Sequence, residues 1–257
     1  MAHQQHLKYI KCLSAHDWNQ WRIMNPRIQP NLQEADLSRL NLSQFNLEGA
    51  NLSKTNLSHT TLTATNLRHA NLAEANLSNA FGITANLESA NLQDANFFHA
   101  HLTKANFRKS NMLLANLREG TFSESFFNQA NLQYANLVGS TLRKASFTHA
   151  NLCYANFIGT ECEKANFAKT QVDNANFSHS NLTGIIIKQW QVNGQTQFTQ
   201  VKCDIIWLNQ TTNIMAKSDV FWETSDFVNF INSSGELSSK SQSNKVSTRL
   251  VNNMMSA

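Results

Sequence analysis

The chain has 257 residues, 41% of them hydrophobic, and a formal charge of +4 at pH 7. That is enough apolar material for one well-packed unit. No stretch approaches 18 apolar residues, which excludes a membrane-spanning helix. The polar start (Met1-Ala2-His3-Gln4-Gln5) lacks the apolar run of a secretion signal, so a cytoplasmic protein is the default expectation.

Residues 3–22 place Leu7, Ile10, Leu13, Trp18 and Trp21 at intervals suited to one or two short amphipathic helices. Residues 1–29 are therefore expected to form a helical cap over the segment that follows. A stack of strands exposes unpaired backbone at its ends, and such an edge aggregates unless covered.

From Leu32 to Leu182 an apolar residue or its substitute recurs at every fifth position, 31 times without a slip. A period of five fits neither a helix nor a flat strand, so the chain must coil as a solenoid of short straight runs joined by corners. Of these 31 centres 19 are Leu and eight are Phe, with Met112, Gly82, Cys162 and Val172 completing the set. Ala stands two residues before the centre in 18 repeats, which suits a small residue at a tight inward corner. Asn precedes the centre in 21 repeats, as an amide ladder running from coil to coil requires.

Charge spacing sets the coil length. At 20 residues, eight opposite-charge pairs occur against two like-charge pairs; at 15 the balance is three to one and at 25 it is one to three. Neighbours one coil apart are about 4.8 Å away, where opposite charges help and like charges hurt. Four pentapeptides per square coil are expected, with columns such as Glu48–Arg68–Glu88–Arg108.

The run resembles the pentapeptide repeat family. The leader Trp18-Asn19-Gln20-Trp21-Arg22, with Asn25-Pro26, and the closing Cys203-Asp204-Ile205-Ile206-Trp207-Leu208 are similar to those of cyanobacterial and related bacterial members. The resemblance covers roughly residues 16–231. It implies an all-β right-handed quadrilateral β-helix, here of about eight coils with an N-terminal helical cap and a short C-terminal helix. The expected division is a cap over 1–29, the solenoid over 30–184, an irregular final coil and capping helix over 185–232, and a disordered Ser-rich tail over 233–257. The covering helix is placed at Asp219–Ile231, starting from Ser218 or Asp219.

Residues 31–184 carry 11 basic and 11 acidic side chains. A neutral, interleaved surface is a poor footprint for nucleic acid. It also disfavours the activity that the resemblance brings to mind first, imitation of DNA by an acidic rod that inhibits or protects DNA gyrase. His59, His69, His99, His149 and His179 all fall at outward corner positions. His59 and His99 share a column but lie two coils apart, too far to bind one ion. No CxxC, phosphate loop or Ser-His-Asp arrangement stands out, so no cofactor, metal or catalytic residue is expected. The enzyme alternative would need a site near the C-terminal cap.

The expected function is a non-enzymatic adaptor with an unknown protein partner, without nucleic acid or membrane binding. A homodimer through the C-terminal segment is a second possibility for its interactions. One column breaks the Asn rule six times: Thr61, Phe81, His101, Thr121, Thr141 and Glu161. With Ile83 and Arg143 beside it, this Thr-rich side is the candidate docking face, and Phe81 and Ile83 flank the anomalous Gly82. The competing reading is that this side merely forms the most regular strands, with Phe81 or Ile83 turned inward to fill the gap at Gly82. A smaller group, Phe98, Val138 and Ile158 in one column and Tyr134 above Tyr154 in another, ranks lower.

Overall fold

A computed structural model describes residues 2–190, 192–208, 211–215, 221–229 and 231. The segment read as a Ser-rich tail lies outside the described residues. Helix α1 (Gln4–Cys12) buries His6 and Ile10, and helix α2 (Ala15–Met24) buries Trp18. The hydroxyl of Ser14 accepts the Asp17 N–H and starts α2.

From Asn31 onward, parallel bridges join each residue before a centre to its counterpart 20 residues later, as in Asn31–Asn51 and Asn51–Asn71. Four pentapeptides therefore close one coil. Its four sides are named here by their first centres: side 1 (Leu32), side 2 (Leu37), side 3 (Leu42) and side 4 (Leu47). Each side contributes a single bridged residue per coil, because the chain turns again three residues later. This holds on side 3 as on the others, so that side is no more regular than the rest.

The corners have a uniform construction. The third residue after a centre donates its N–H to the centre's carbonyl, as Thr55 does to Leu52 at 3.2 Å. The residue between them and two after the centre lies in the left-handed region; Lys54 has φ 58° and His59 φ 57°. One positive φ at the third turn position is the sign pattern of a type II turn. Where Thr or Ser replaces Ala at the inward corner, its hydroxyl bonds a centre's carbonyl, except at Ser140, whose buried Oγ has no partner among the described residues; Thr65 reaches Leu42 at 2.7 Å and Ser110 reaches Phe107 at 2.8 Å.

The centres fill the interior. Phe107, Phe127, Phe147 and Phe167 stack on side 4 at 4.8, 4.8 and 5.0 Å. Outside, Asn carboxamides form ladders: Asn91, Asn111 and Asn131 each donate to the Asn one coil earlier at 3.1–3.2 Å. Each such oxygen also accepts the N–H two residues on, as Asn91 does from Gln93. Four of the eight charge pairs read from the sequence close to within 4 Å, namely Lys54–Glu74, Arg68–Glu88, Lys104–Glu124 and Arg143–Glu163. His99–Glu119, at 3.0 Å, is a fifth contact at this spacing that a count of Lys and Arg alone omits.

The final coil, expected to be irregular, departs from the 20-residue spacing by one residue. Asn166 still pairs with Ile186, but Asn176 pairs with Gln197 and Asn181 with Lys202, a spacing of 21. One extra residue enters between Trp190 and Phe198, and the register then resumes. Strand β1 (Ile185–Ile186) pairs in parallel with β3 (Ile205–Trp207), which pairs antiparallel with β4 (Asn213–Met215). Strand β2 (Val201–Lys202) pairs antiparallel with β5 (Phe221–Trp222). The covering helix expected from Asp219 thus starts later, over residues 224–229. The β-forming pair Phe221–Trp222 is held in a strand, and the Trp222 indole N–H donates to the Cys203 carbonyl. The proposed start residues Ser218 and Asp219 lie outside the described residues.

Candidate protein-docking face

Side 3 is assembled from short segments, each turned outward by the alternation of a strand. In Thr60–Thr63 the inward residues are Thr60 and Leu62 and the outward ones Thr61 and Thr63; the next coil presents Phe81 and Ile83 at the same places. Phe81 is 44% exposed and Ile83 40% exposed. Neither turns inward, which corrects the expectation that one of them fills the gap at Gly82. That space is taken by the coils on either side. A Cβ built on Gly82 would lie 2.8 Å from Leu102 Cδ2 and 3.0 Å from Leu62 Cβ.

The backbone of Phe81 bridges Thr61 above and His101 below. These residues, with Ile83, form one contiguous patch in which Thr61 is half-buried and His101 exposed. Thr121 continues the column. Thr141 and Arg143 stand three coils from Phe81, about 14 Å at strand spacing, so they do not share a contact zone with it. Arg143 is occupied within the fold, forked between Glu161 at 3.5 Å and Glu163 at 3.7 Å. Glu161 in turn accepts the Asn181 carboxamide at 3.2 Å, so the amide ladder resumes there. The docking face therefore divides into an apolar-and-Thr half around Phe81 and a charged half around Arg143.

Two other interruptions matter. Phe126 breaks the ladder of side 4, and the Arg108 guanidinium covers its ring at 4.2 Å. At the corner between sides 1 and 2, Tyr134 stacks on Tyr154 at 4.8 Å, and Leu114 stands in the same column one coil earlier. The tyrosine pair is visible in the sequence; its extension to Leu114 emerges only once the columns are laid out. Phe98, Val138 and Ile158 are half-buried on side 2.

Among the described residues, no group of three or more His, Cys, Asp or Glu is placed to hold a metal ion. The four cysteines are free thiols, and burial pushes Cys162 up to about 12 and Cys203 above its ordinary value as well. Protonated at neutral pH, neither buried thiol is a nucleophile. No described helix is long and apolar enough to cross a membrane.

A coil of four pentapeptides with Leu or Phe inward, Ala at the corners and Asn ladders outside defines a class of repeat protein. The model for pentapeptide repeats matches eight copies over residues 31–68, 65–103, 83–112, 110–148 and 145–184. The chain belongs to the pentapeptide repeat family, whose members fold as right-handed quadrilateral β-helices. Similar solved structures include a trypsin-treated variant of QnrB1, a plasmid-mediated fluoroquinolone resistance protein. It is 17% identical, with 69% of this chain and 84% of that one covered and a TM-score of 0.47. Rfr23 from the cyanobacterium Cyanothece 51142 is 24% identical over 45% of this chain and 89% of its own, with a TM-score of 0.35. HetL from Nostoc sp. strain PCC 7120, involved in heterocyst differentiation regulation, is 27% identical over 66% and 88%, with a TM-score of 0.25. No curated protein matches the chain.

Proposed function

We propose that this protein is a non-enzymatic adaptor: a rod of about eight coils, covered by α1 and α2 at one end and by residues 224–229 at the other, that presents rigid faces to a protein partner. The observation that carries this reading is the pair Phe81 and Ile83. Two large apolar side chains face outward and stay partly exposed on either side of a glycine, while the gap between them is filled from neighbouring coils. Apolar groups held outward on a rigid, flat, polar surface are the kind of anchor in which interface energy concentrates.

The arrangement of the interior supports a binding role over catalysis. Leu, Phe and Ala make up most of the interior from Leu32 to Leu182, and the Lys, Arg, Asp and Glu side chains lie on the outer faces, several of them in ion pairs. Alternating charges along the columns cancel within about one Debye length, roughly 8–10 Å, which also argues against imitation of DNA. The test is site-specific photo-crosslinking from position 81 and, separately, from position 129 on side 4, in the native cell. The adaptor reading expects one dominant protein adduct from position 81 and none from position 129. Turnover of a substrate by pure protein, abolished by one point mutation, would replace it.

A further inference from the structure

The first coil shows how a solenoid edge is closed, and on two sides the described residues leave it open. In the interior of the rod each outward residue before a centre donates its N–H upward and accepts from the coil above; Asn51 N–H bonds Pro30 O, and Leu32 N–H bonds Asn51 O. The first coil has no coil above it, so other groups stand in. On side 1, Asn31 O accepts His3 N–H at 3.0 Å, and Asn31 N–H donates to His6 Nδ1 at 3.0 Å. On side 4, Asn46 O accepts the Trp18 indole N–H at 2.8 Å, and Asn46 N–H donates to Asn19 Oδ1 at 2.7 Å. Arg22 and Gln29 reach Glu48 O and Gly49 O. The helices close those two sides with side-chain imitations of a strand.

Sides 2 and 3 have no such cover among the described residues. Among the described residues nothing bonds the backbone N–H or C=O of Asp36 or Asn41, or the C=O of Ser38 or Ser43. Asp36 and Asn41 are exposed, whereas Asn31 and Asn46 are half-buried. Beside Asn41 and Ser43 runs a groove of about 380 Å³ between α1 and the coil, with Ile10, Leu13, Leu40 and Phe45 among its apolar lining.

We infer that this rim, Asp36–Ser43 with the adjoining groove, binds an extended peptide strand of a partner protein by adding it as a ninth layer on sides 2 and 3. It deepens the adaptor reading by naming a second contact site and the chemistry of its occupant. The pattern of the rod specifies that occupant. A parallel strand in the register of the other coils would donate to Asp36 O, Ser38 O, Asn41 O and Ser43 O and accept from Asp36 N–H and Asn41 N–H. That makes six main-chain hydrogen bonds over two pentapeptides, with an apolar residue of the guest entering the groove. Lone N–H and C=O groups on an open edge are a template for such pairing. Guest side chains give selectivity, since in each pentapeptide only the centre and the residue two before it face inward.

The experiment uses the full chain and a fluorescein-labelled ten-residue peptide with the sequence of residues 55–64, which spans sides 2 and 3 in its own coil. Fluorescence anisotropy is expected to saturate with Kd on the order of 10–100 µM, modest because association entropy offsets much of the hydrogen bonding. N-methylation of the two peptide Leu nitrogens, which would donate to Asp36 O and Asn41 O, is expected to weaken binding more than about tenfold. Asn41→Pro removes an N–H that nothing among the described residues accepts, together with the exposed Asn41 Oδ1–Ser43 N–H bond, so it should shift the circular dichroism melt little and weaken binding about fivefold. No saturable binding up to about 1 mM, or equal binding of the N-methylated peptide, would overturn the inference. So would dimerisation of the unliganded chain that Asn41→Pro abolishes, because the rim would then belong to a second copy. These outcomes leave the reading of Phe81 and Ile83 to its own test.

Discussion

The ring of Phe122 occupies the place where a methyl group on Gly120 would stand: a Cβ built there meets Phe122 Cε2 at 2.5 Å and Cζ at 2.9 Å. Every other inward corner on this side holds Ala, Thr, Ser or Leu. The larger centre has displaced the usual corner residue. Gly120→Ala, although it matches the repeat pattern, is expected to destabilise the protein by about 1–3 kcal/mol through overpacking. Adding Phe122→Leu should recover most of that loss. A double-mutant cycle by urea denaturation measures the coupling, and additive effects would separate the two residues.

Thr84 tests the left-handed corner. It is exposed, β-branched and held at φ 58°. A non-glycine residue in that region costs on the order of 1–3 kcal/mol, against roughly 0.5–1 kcal/mol of extra unfolded-state entropy for glycine. Thr84→Gly should therefore stabilise by about 1 kcal/mol, and Thr84→Val should not. Thermal melts of the two variants give the comparison.

The N-terminal helices carry a pH dependence. His6 Nδ1 accepts the Asn31 N–H, so the bond needs an unprotonated ring. Burial, then the neighbouring His3 charge, holds His6 below its usual 6.5, and Arg22 acts the same way. The folded state thus binds fewer protons than the unfolded chain just below 6.5. The stabilisation is fully present above 6.5 and is lost as pH falls from there towards the folded value. Fluorescence of Trp21, whose ring is 5.5 Å from His6, should report loosening of α1 as pH falls below about 6.5. His6→Gln, which can accept the same N–H without titrating, should flatten that response.

Phe127 lies between Phe107 and Phe147 at 4.8 Å on either side, fully buried. Phe127→Ala should cost about 3–5 kcal/mol, because the stacked coils above and below hold the cavity open. Lys104→Ala, which removes an exposed ion pair with Glu124, should stay within about 0.5 kcal/mol. Chemical denaturation of both variants checks the contrast.

Much of this was readable from the chain. The five-residue period identified the centres and corners, and opposite charges at a spacing of 20 set the coil length. Lys54–Glu74 and Lys104–Glu124 then met as that register requires. What escaped depends on neighbours a full coil away. Whether Gly82 leaves a hole is decided by the Leu102 and Leu62 side chains, which one-dimensional spacing does not address. The extra residue before Phe198 carries no periodic signal, since the pattern simply resumes after it. Phe221–Trp222 fits a helix or a strand by composition, and pairing with β2 decides the matter. The open rim at Asp36 and Asn41 is a backbone property with no residue signature at all.

The most direct test of the adaptor account is affinity capture from the native cell with wild type and with Phe81→Ser/Ile83→Ser side by side. Both side chains point outward and are 40–44% exposed, so the double variant should stay folded, at a cost of about 1 kcal/mol per site. The account predicts that a partner recovered with wild type is lost with this folded variant. Equal recovery of every partner by a folded variant would contradict it.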